Sequence, residues 1–154
     1  ARHGLHFFSL FVPHGTPKIM VPLIAAASFR ADFLSVYPRA AAFPGATNLG
    51  WAHYLLFELV YGLDFVFIEM YFRGFVVQTF GRLYGQAAIL PMAAFYVFIH
   101  FQKPPGEAAS SYLGGLILGI ASLRTGSIVG GILVHVGIAW MMEGFAFAQR
   151  ALWR

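Results

Sequence analysis

Between Leu49 and Ala151 the chain is built from four long apolar stretches, about Leu49–Phe80, Gln86–Phe101, Glu107–Leu123 and Gly126–Ala151, parted only by short turns. Stretches of this length and polarity read as helices able to cross a hydrocarbon core of about 30 Å, which takes ~20 apolar residues. Backbone placed in lipid has to satisfy its own hydrogen bonds, which favours a bundle of helices. Charged residues make up 10% of the chain and hydrophobic ones 59%, against about 25% charged in a soluble domain. The polar surface needed to stay in water is missing. The expectation is an all-α, polytopic transmembrane helix bundle forming a single integral membrane domain over residues 1–154, with four well-defined spans plus one or two short N-terminal helical segments. The absence of cysteine excludes thiolate metal sites, disulfides and cysteine nucleophiles.

The first third is less regular. Leu5–Val12 and Ile19–Phe29 are each too short to cross alone, and Pro13, Pro17 and Pro22 interrupt them; one kinked span or an interfacial hairpin is expected. Leu5–Val12 ends at Pro13-His14-Gly15 without a small-residue cleavage site, so no clean signal peptide is read. Arg30–Asn48, with Pro38, Pro44 and Gly45, reads as a loop. The stretch from Leu49 to Phe80 exceeds what a bilayer requires, so it tilts or breaks near Gly62-Leu63-Asp64, where Asp64 would cap a second helix. Of the loop charges, Arg30, Arg39, Lys103, Arg150 and Arg154 fall on one side and Arg82 and Arg124 on the other. The excess places the first side, and the C-terminus, in the cytoplasm of a multi-pass protein. Ten basic residues giving a net charge of +4 set topology; no nucleic-acid partner is expected.

Ionisable residues at membrane depth are costly and mark sites or buried pairs. Glu69 and Arg73 are four residues apart, a spacing that stacks them on one helix face. Counting along the helices from the ends with fewer charges puts Glu69 roughly 16 Å deep, His100 roughly 21 Å and His135 roughly 14 Å, all near the midplane. Glu107 and Glu143 come out at roughly 24 and 26 Å, towards the cytoplasmic side. One carboxylate and two imidazoles suit zinc or another divalent ion, which in a catalytic site takes about three protein ligands and an open position for water. The alternative is that the two histidines hydrogen-bond across helices while Glu69 and Arg73 neutralise each other.

Read in order, Ile68-Glu69-Met70-Tyr71-Phe72-Arg73-Gly74, then Tyr96-Val97-Phe98-Ile99-His100, then Leu123-Arg124-Thr125-Gly126-Ser127 and His135 resemble the motifs of the CPBP family, the membrane-embedded CAAX-protease and bacteriocin-processing (Abi) proteins. The likeness runs over a core of about residues 54–143. It implies an all-helical bundle and intramembrane metal-dependent peptide-bond hydrolysis by a metal-activated water. It further implies a divalent metal, zinc first, on His100 and His135, with Glu69, Arg73 and Glu107 as the catalytic set. Its partners would be the lipid bilayer and a membrane-associated or prenylated peptide substrate.

Three positions depart from the family pattern. The first Glu of its Glu-Glu pair is Ile68, the Asn four residues after the last His is Ala139, and Tyr96 stands where Phe is usual. Asp64 lies one turn before Ile68. The segment His100-x-x-Lys103-Pro104-x-x-Glu107 resembles a branch of the family with a single Glu before Arg-Gly, in which an acidic residue, here Glu143, also follows the last His. On that reading His100, Glu107 and Glu143 form a second polar group. A catalytically inactive homologue, acting as scaffold or accessory subunit with partner membrane subunits, is the competing expectation. A haem- or chlorin-binding protein with histidine axial ligands is a third. Gly114, Gly115 and Gly119 form a small-residue stripe for helix packing, with Gly130 and Gly131 as its facing surface.

Overall fold

A computed structural model describes residues 16–42 and 50–152, and within them the chain is helical apart from short turns. The helices are α1 (Thr16–Ala27), α2 (Ala31–Val36), α3 (Arg39–Ala42), α4 (Trp51–Glu69), α5 (Gln78–Tyr84), α6 (Ile89–Phe98), α7 (Pro105–Thr125) and α8 (Val129–Leu152). A π-helical segment, Met70–Val77, joins α4 to α5, and a 3₁₀ turn, Gly85–Ala88, joins α5 to α6. Two compact units result, one over Val66–Val134 and one over residues 16–42, 50–65 and 135–152. The run Leu5–Val12 lies outside the described residues.

The first unit has its core on Phe72, Val77, Ile89, Met92 and Tyr96, with Ile68, Val76, Leu116, Ile120 and Leu123 packed around them. The π segment is what lets Phe72 and Val77 share that core. Residues five apart stand about 140° from one another on an α-helix, but the i→i+5 hydrogen bonding of a π-helix brings them to the same side. Helix α7 starts with Pro105 at its first position and Glu107 in its first turn, both suited to a helix N-terminus. It stops at Gly126, whose φ of 65° and N–H bonded to the Ser122 carbonyl make a left-handed cap. That requirement explains the glycine in Leu-Arg-Thr-Gly-Ser. Thr125 Oγ1 donates to the Ala121 carbonyl and accepts from the Ser127 N–H, closing the turn towards α8.

The glycine stripe works as a packing surface, but with a different partner from the one expected. Gly115 and Gly119 are buried against α6: a Cβ at Gly119 would come 2.7 Å from Met92 Cε and 3.1 Å from Ile89 Cγ2, and one at Gly115 would come 3.4 Å from the Ala93 Cα. Gly114 faces open space, and Gly131 lies against the Glu69 carboxylate.

In the second unit Phe33, Tyr37 and Ala146 form the core, flanked by Ala27, Leu34, Val36 and Met142. The segment expected as a loop from Arg30 to Asn48 contains α2 and α3. At its start Asp32 takes two hydrogen bonds from Arg30 and one from the Phe33 N–H. The Arg30 contacts hold its carboxyl below the usual range. Pro17 and Pro22 do not divide α1, which is continuous over Thr16–Ala27. Nor does the long helix break at Gly62–Asp64. Gly62 instead admits the Trp140 ring, which an added Cβ would meet at 3.3 Å, and Trp140 Nε1 donates to the Glu58 carbonyl. Asp64 is exposed in mid-helix and caps nothing. The departure from α geometry comes later, at Met70. The second expected span also shortens: α6 ends at Phe98, and His100 sits in the turn beyond it.

Leu55, Leu59, Leu63 and Phe67 form an exposed apolar stripe at i, i+4 spacing on α4, and Leu113 and Ile117 another on α7. Apolar surface of that extent suits lipid rather than water. Among the described residues one helix, Val129–Leu152, is by itself long and apolar enough to cross a membrane.

Filling the α6–α7 contact tests this packing. Gly119→Leu should lower unfolding stability by about 1–3 kcal/mol, the usual cost of overpacking, whereas Gly114→Leu on the open face should change it by less than about 0.5 kcal/mol. Thermal unfolding in detergent reads both.

Candidate functional site

The feature that organises the first unit is an ion pair with no access to solvent. Glu69 closes α4, Arg73 follows in the π segment, and both are 0% exposed. Arg73 Nη1 lies 2.9 Å from Glu69 Oε1. The other carboxylate oxygen, Oε2, rests against Gly131, where any side chain would overlap it. The guanidinium sits over the Tyr96 ring, 4.2 Å from its centroid, so charge and π face meet inside the core. Among the described residues, no hydrogen-bond acceptor at good geometry meets Arg73 Nε or Nη2.

Tyr96 carries the contact onward. Its ring packs edge-on to Phe72 and lies 4.6 Å from the His100 ring, and its carbonyl is 3.0 Å from His100 Nδ1. A carbonyl only accepts, so Nδ1 bears the hydrogen and the neutral imidazole has its lone pair on Nε2. Glu69, Arg73, Tyr96 and His100 therefore form one continuous chain of contacts. Glu107 lies apart from the ion pair in role: it approaches Lys103 at 3.4 Å in the first turn of α7, with both side chains under one-fifth exposed. That position matches the helix-terminal charge that the macrodipole favours.

The backbone under Arg73 is itself held by side chains. The Ser122 hydroxyl donates to the Arg73 carbonyl at 3.1 Å, and Gln78 Nε2 donates to Ser122 Oγ at 3.3 Å. The motif reading passed over both residues, because a serine and a glutamine within apolar helices carry no charge signal.

His135 belongs to the second unit, where its ring lies 4.5 Å from that of Phe65, tilted by 47°. In that unit Glu143, 2% exposed, accepts hydrogen bonds from the backbone N–H groups of Arg39 (2.7 Å) and Ala40 (3.3 Å), at the start of α3. Its role is that of a buried helix-capping carboxylate, not the interfacial residue its position near the helix end suggested. Glu58 brings its own carboxyl within hydrogen-bonding reach of Glu143. Glu58 was missed, although a carboxylate amid Leu55, Leu56, Leu59 and Val60 gives the same signal that singled out Glu69. Arg39 stacks its guanidinium over Tyr61 at 5.4 Å.

A zinc ion needs about three converging donors. Among the described residues, no group of three or more His, Asp or Glu side chains is gathered for one. Glu69 is engaged by Arg73, Glu107 by Lys103 and Glu143 by backbone amides.

Among the described residues the geometry defines a helical protein whose first unit has a buried Glu–Arg pair as its polar centre. A family model for "Type II CAAX prenyl endopeptidase Rce1-like" matches residues 50–141, well over half of the chain, and the chain belongs to that family. Curated relatives give a different and more local likeness. Over 28 residues the chain is 75% identical to ATP synthase subunit a of Sphingopyxis alaskensis, covering 18% of this chain and 11% of that protein. Over 24 residues it is 79% identical to that of Novosphingobium aromaticivorans, covering 16% and 9%. A longer match, 29% over 103 residues, covers 64% of this chain and 39% of the ATP synthase subunit a of Allomyces arbusculus. The chain thus spans about a tenth of the length of the first of these relatives. No solved structure matches.

Glu69→Gln would leave the Arg73 charge buried without its counter-ion and should cost about 3–5 kcal/mol. Glu69→Gln combined with Arg73→Met should recover most of that loss. Additive losses in a double-mutant cycle, read by thermal unfolding in detergent, would show that the two side chains are not coupled.

Proposed function

We propose that this chain is an intramembrane endopeptidase of the CAAX prenyl type, hydrolysing a peptide bond in a membrane-associated or prenylated substrate. The observation that carries the reading is the fully buried Glu69–Arg73 pair inside the family-matched segment. A carboxylate held beside a guanidinium in an apolar bundle is a candidate general base for a water molecule. Arg73 supplies the compensating charge, and its Nε and Nη2 have donors to spare for a polar substrate atom or a water. His100, with Nδ1 fixed on the Tyr96 carbonyl, offers Nε2 to accept or return a proton. Glu107 would act by holding the Lys103–Glu107 turn next to His100 and so fixing the ring.

In this reading the four apolar stretches cross the bilayer as a multi-pass bundle, with the C-terminus cytoplasmic. A divalent ion, zinc by the chemistry of imidazole and carboxylate, is the cofactor this reading allows. Chelator sensitivity decides whether one takes part.

A second reading has specific support. Ile68 and Ala139 fill the places of the family's first Glu and its Asn, and both are occupied by packing. Ile68 lies against the Phe72–Tyr96 core, and Ala139 is 3% exposed. These positions favour a homologue that keeps the fold as a scaffold or accessory subunit in a membrane complex. The short identities to ATP synthase subunit a mark local likeness and add no catalytic argument.

Cleavage of a farnesylated CAAX peptide by the full chain in detergent separates the two. The protease reading expects turnover that falls by at least about 100-fold in Glu69→Gln, the contribution of a general base, and in His100→Ala. It also expects intact folding in the His100 variant. No turnover by the unaltered, folded chain would leave the scaffold reading.

A further inference from the structure

We propose that Ser122 and Gln78 form a polar clamp that holds the π-helical register of Met70–Val77 and so positions Arg73 against Glu69 and Tyr96. The proposal concerns the first unit alone, and its catalytic consequence rests on the protease reading above. A π-helix is a strained choice for eight consecutive residues, because its hydrogen bonds run i→i+5 and the α register competes at each step. Something outside the helix must favour it. The Arg73 carbonyl is where that influence is applied.

Two donors converge on this carbonyl. The Gln78 backbone N–H, shared with the Phe75 carbonyl, reaches it in the i→i+5 pattern, and the Ser122 hydroxyl, from α7, reaches it at 3.1 Å. The Gln78 side chain closes the ring by donating Nε2 to Ser122 Oγ at 3.3 Å. Gln78 thus grips the same carbonyl twice, once directly and once through Ser122. In the α register its N–H would turn to the Gly74 carbonyl and the ring would open. Ser122 is 2% exposed, so water cannot easily replace its hydroxyl. The residue whose carbonyl is clamped is also the one whose guanidinium meets Glu69 at 2.9 Å and Tyr96 at 4.2 Å. Fixing the backbone at Arg73 fixes the direction of its side chain. Ser122 and Gln78 are therefore positioning residues that act through Arg73.

The chain contains no cysteine, so an introduced pair reports register without background. A Cβ at Gly74 would lie 3.7 Å from Ile128 Cγ2, in ordinary contact, which makes Gly74→Cys with Ile128→Cys a reporter of the π register. The rate of oxidative cross-linking would be measured in the full chain in detergent for this pair alone, and with Ser122→Ala, Ser122→Thr or Gln78→Leu added. The clamp predicts a fall of about three- to tenfold with Ser122→Ala and with Gln78→Leu, the population change expected from one lost hydrogen bond. It predicts recovery with Ser122→Thr, which restores the hydroxyl. Equal rates in Ser122→Ala and the parent overturn the proposal. If Ser122→Ala does not fold, an unchanged rate in Gln78→Leu overturns it equally. In cysteine-free chains, cleavage of the farnesylated peptide should show kcat lowered about three- to tenfold with KM unchanged. Absent turnover in the parent would count against the protease reading alone, because the cross-linking result stands without it.

Discussion

The structure of the first unit depends on one constraint: a carboxylate and a guanidinium share an interior that offers them no water. Taking two such charges out of solvent costs more than their attraction returns unless the geometry is good and further contacts help. The surroundings can be read as those contacts. Tyr96 lends its π face to Arg73, Gly131 removes the Cβ that would collide with Glu69, and Ser122 engages the Arg73 carbonyl. The π segment follows from the same need. It aligns Phe72 and Val77 with the apolar core while Arg73, between them, reaches Glu69. A regular α-helix over the same residues would send Phe72 and Val77 to different faces.

The second unit solves a related problem by another route. Glu143 is buried. Its carboxyl oxygens accept from the Arg39 and Ala40 backbone N–H groups at the start of α3. Those amides have no partner within so short a helix, so one carboxylate satisfies several needs. Arg150 completes the connection from the far end of α8 by donating to the Leu34 and Tyr37 carbonyls, and Gln149 reaches Ser28. These bonds tie the short helices of residues 28–42 to α8, although that stretch, broken by Pro38, carries little helical signal.

Much of the architecture was legible in the sequence because apolar run length and the caps of α7 are local properties. Pro105, Glu107 and Gly126 announce the ends of α7 without reference to any neighbour. The Glu69–Arg73 pair was equally visible, since its spacing places both on one turn. What escaped depended on contacts distant in sequence. Gly62 looked like a breaker until Trp140 was seen to pack on it. Glu143 looked like an interfacial charge until the α3 amides were seen to bind it. Gly131, expected to face the glycine stripe of α7, serves Glu69. The π segment has no sequence signature at all, because it is chosen by what Phe72, Val77 and Ser122 meet on α6 and α7. Glu58 is a different kind of omission: its signal was local and simply went unread.

Family membership and chemistry are separate matters in this chain, and the site shows where they part. The matched segment keeps the Glu–Arg pair, the histidine after α6 and the glycine cap after α7, all of which have structural work that would preserve them whether or not a bond is cut. Glu69 neutralises Arg73, His100 seals the end of α6 against the Tyr96 carbonyl, and Gly126 turns the chain into α8. Ile68 and Ala139, at the two positions that depart from the family pattern, are apolar and take part in the packing. A retired site would be expected to lose purely chemical groups first and to retain those that hold the bundle together. In the proposed reading Glu69 is the candidate base, a buried carboxylate with the Arg73 guanidinium 2.9 Å away. That ion pair is therefore where the stability of the first unit and the proposed hydrolysis meet.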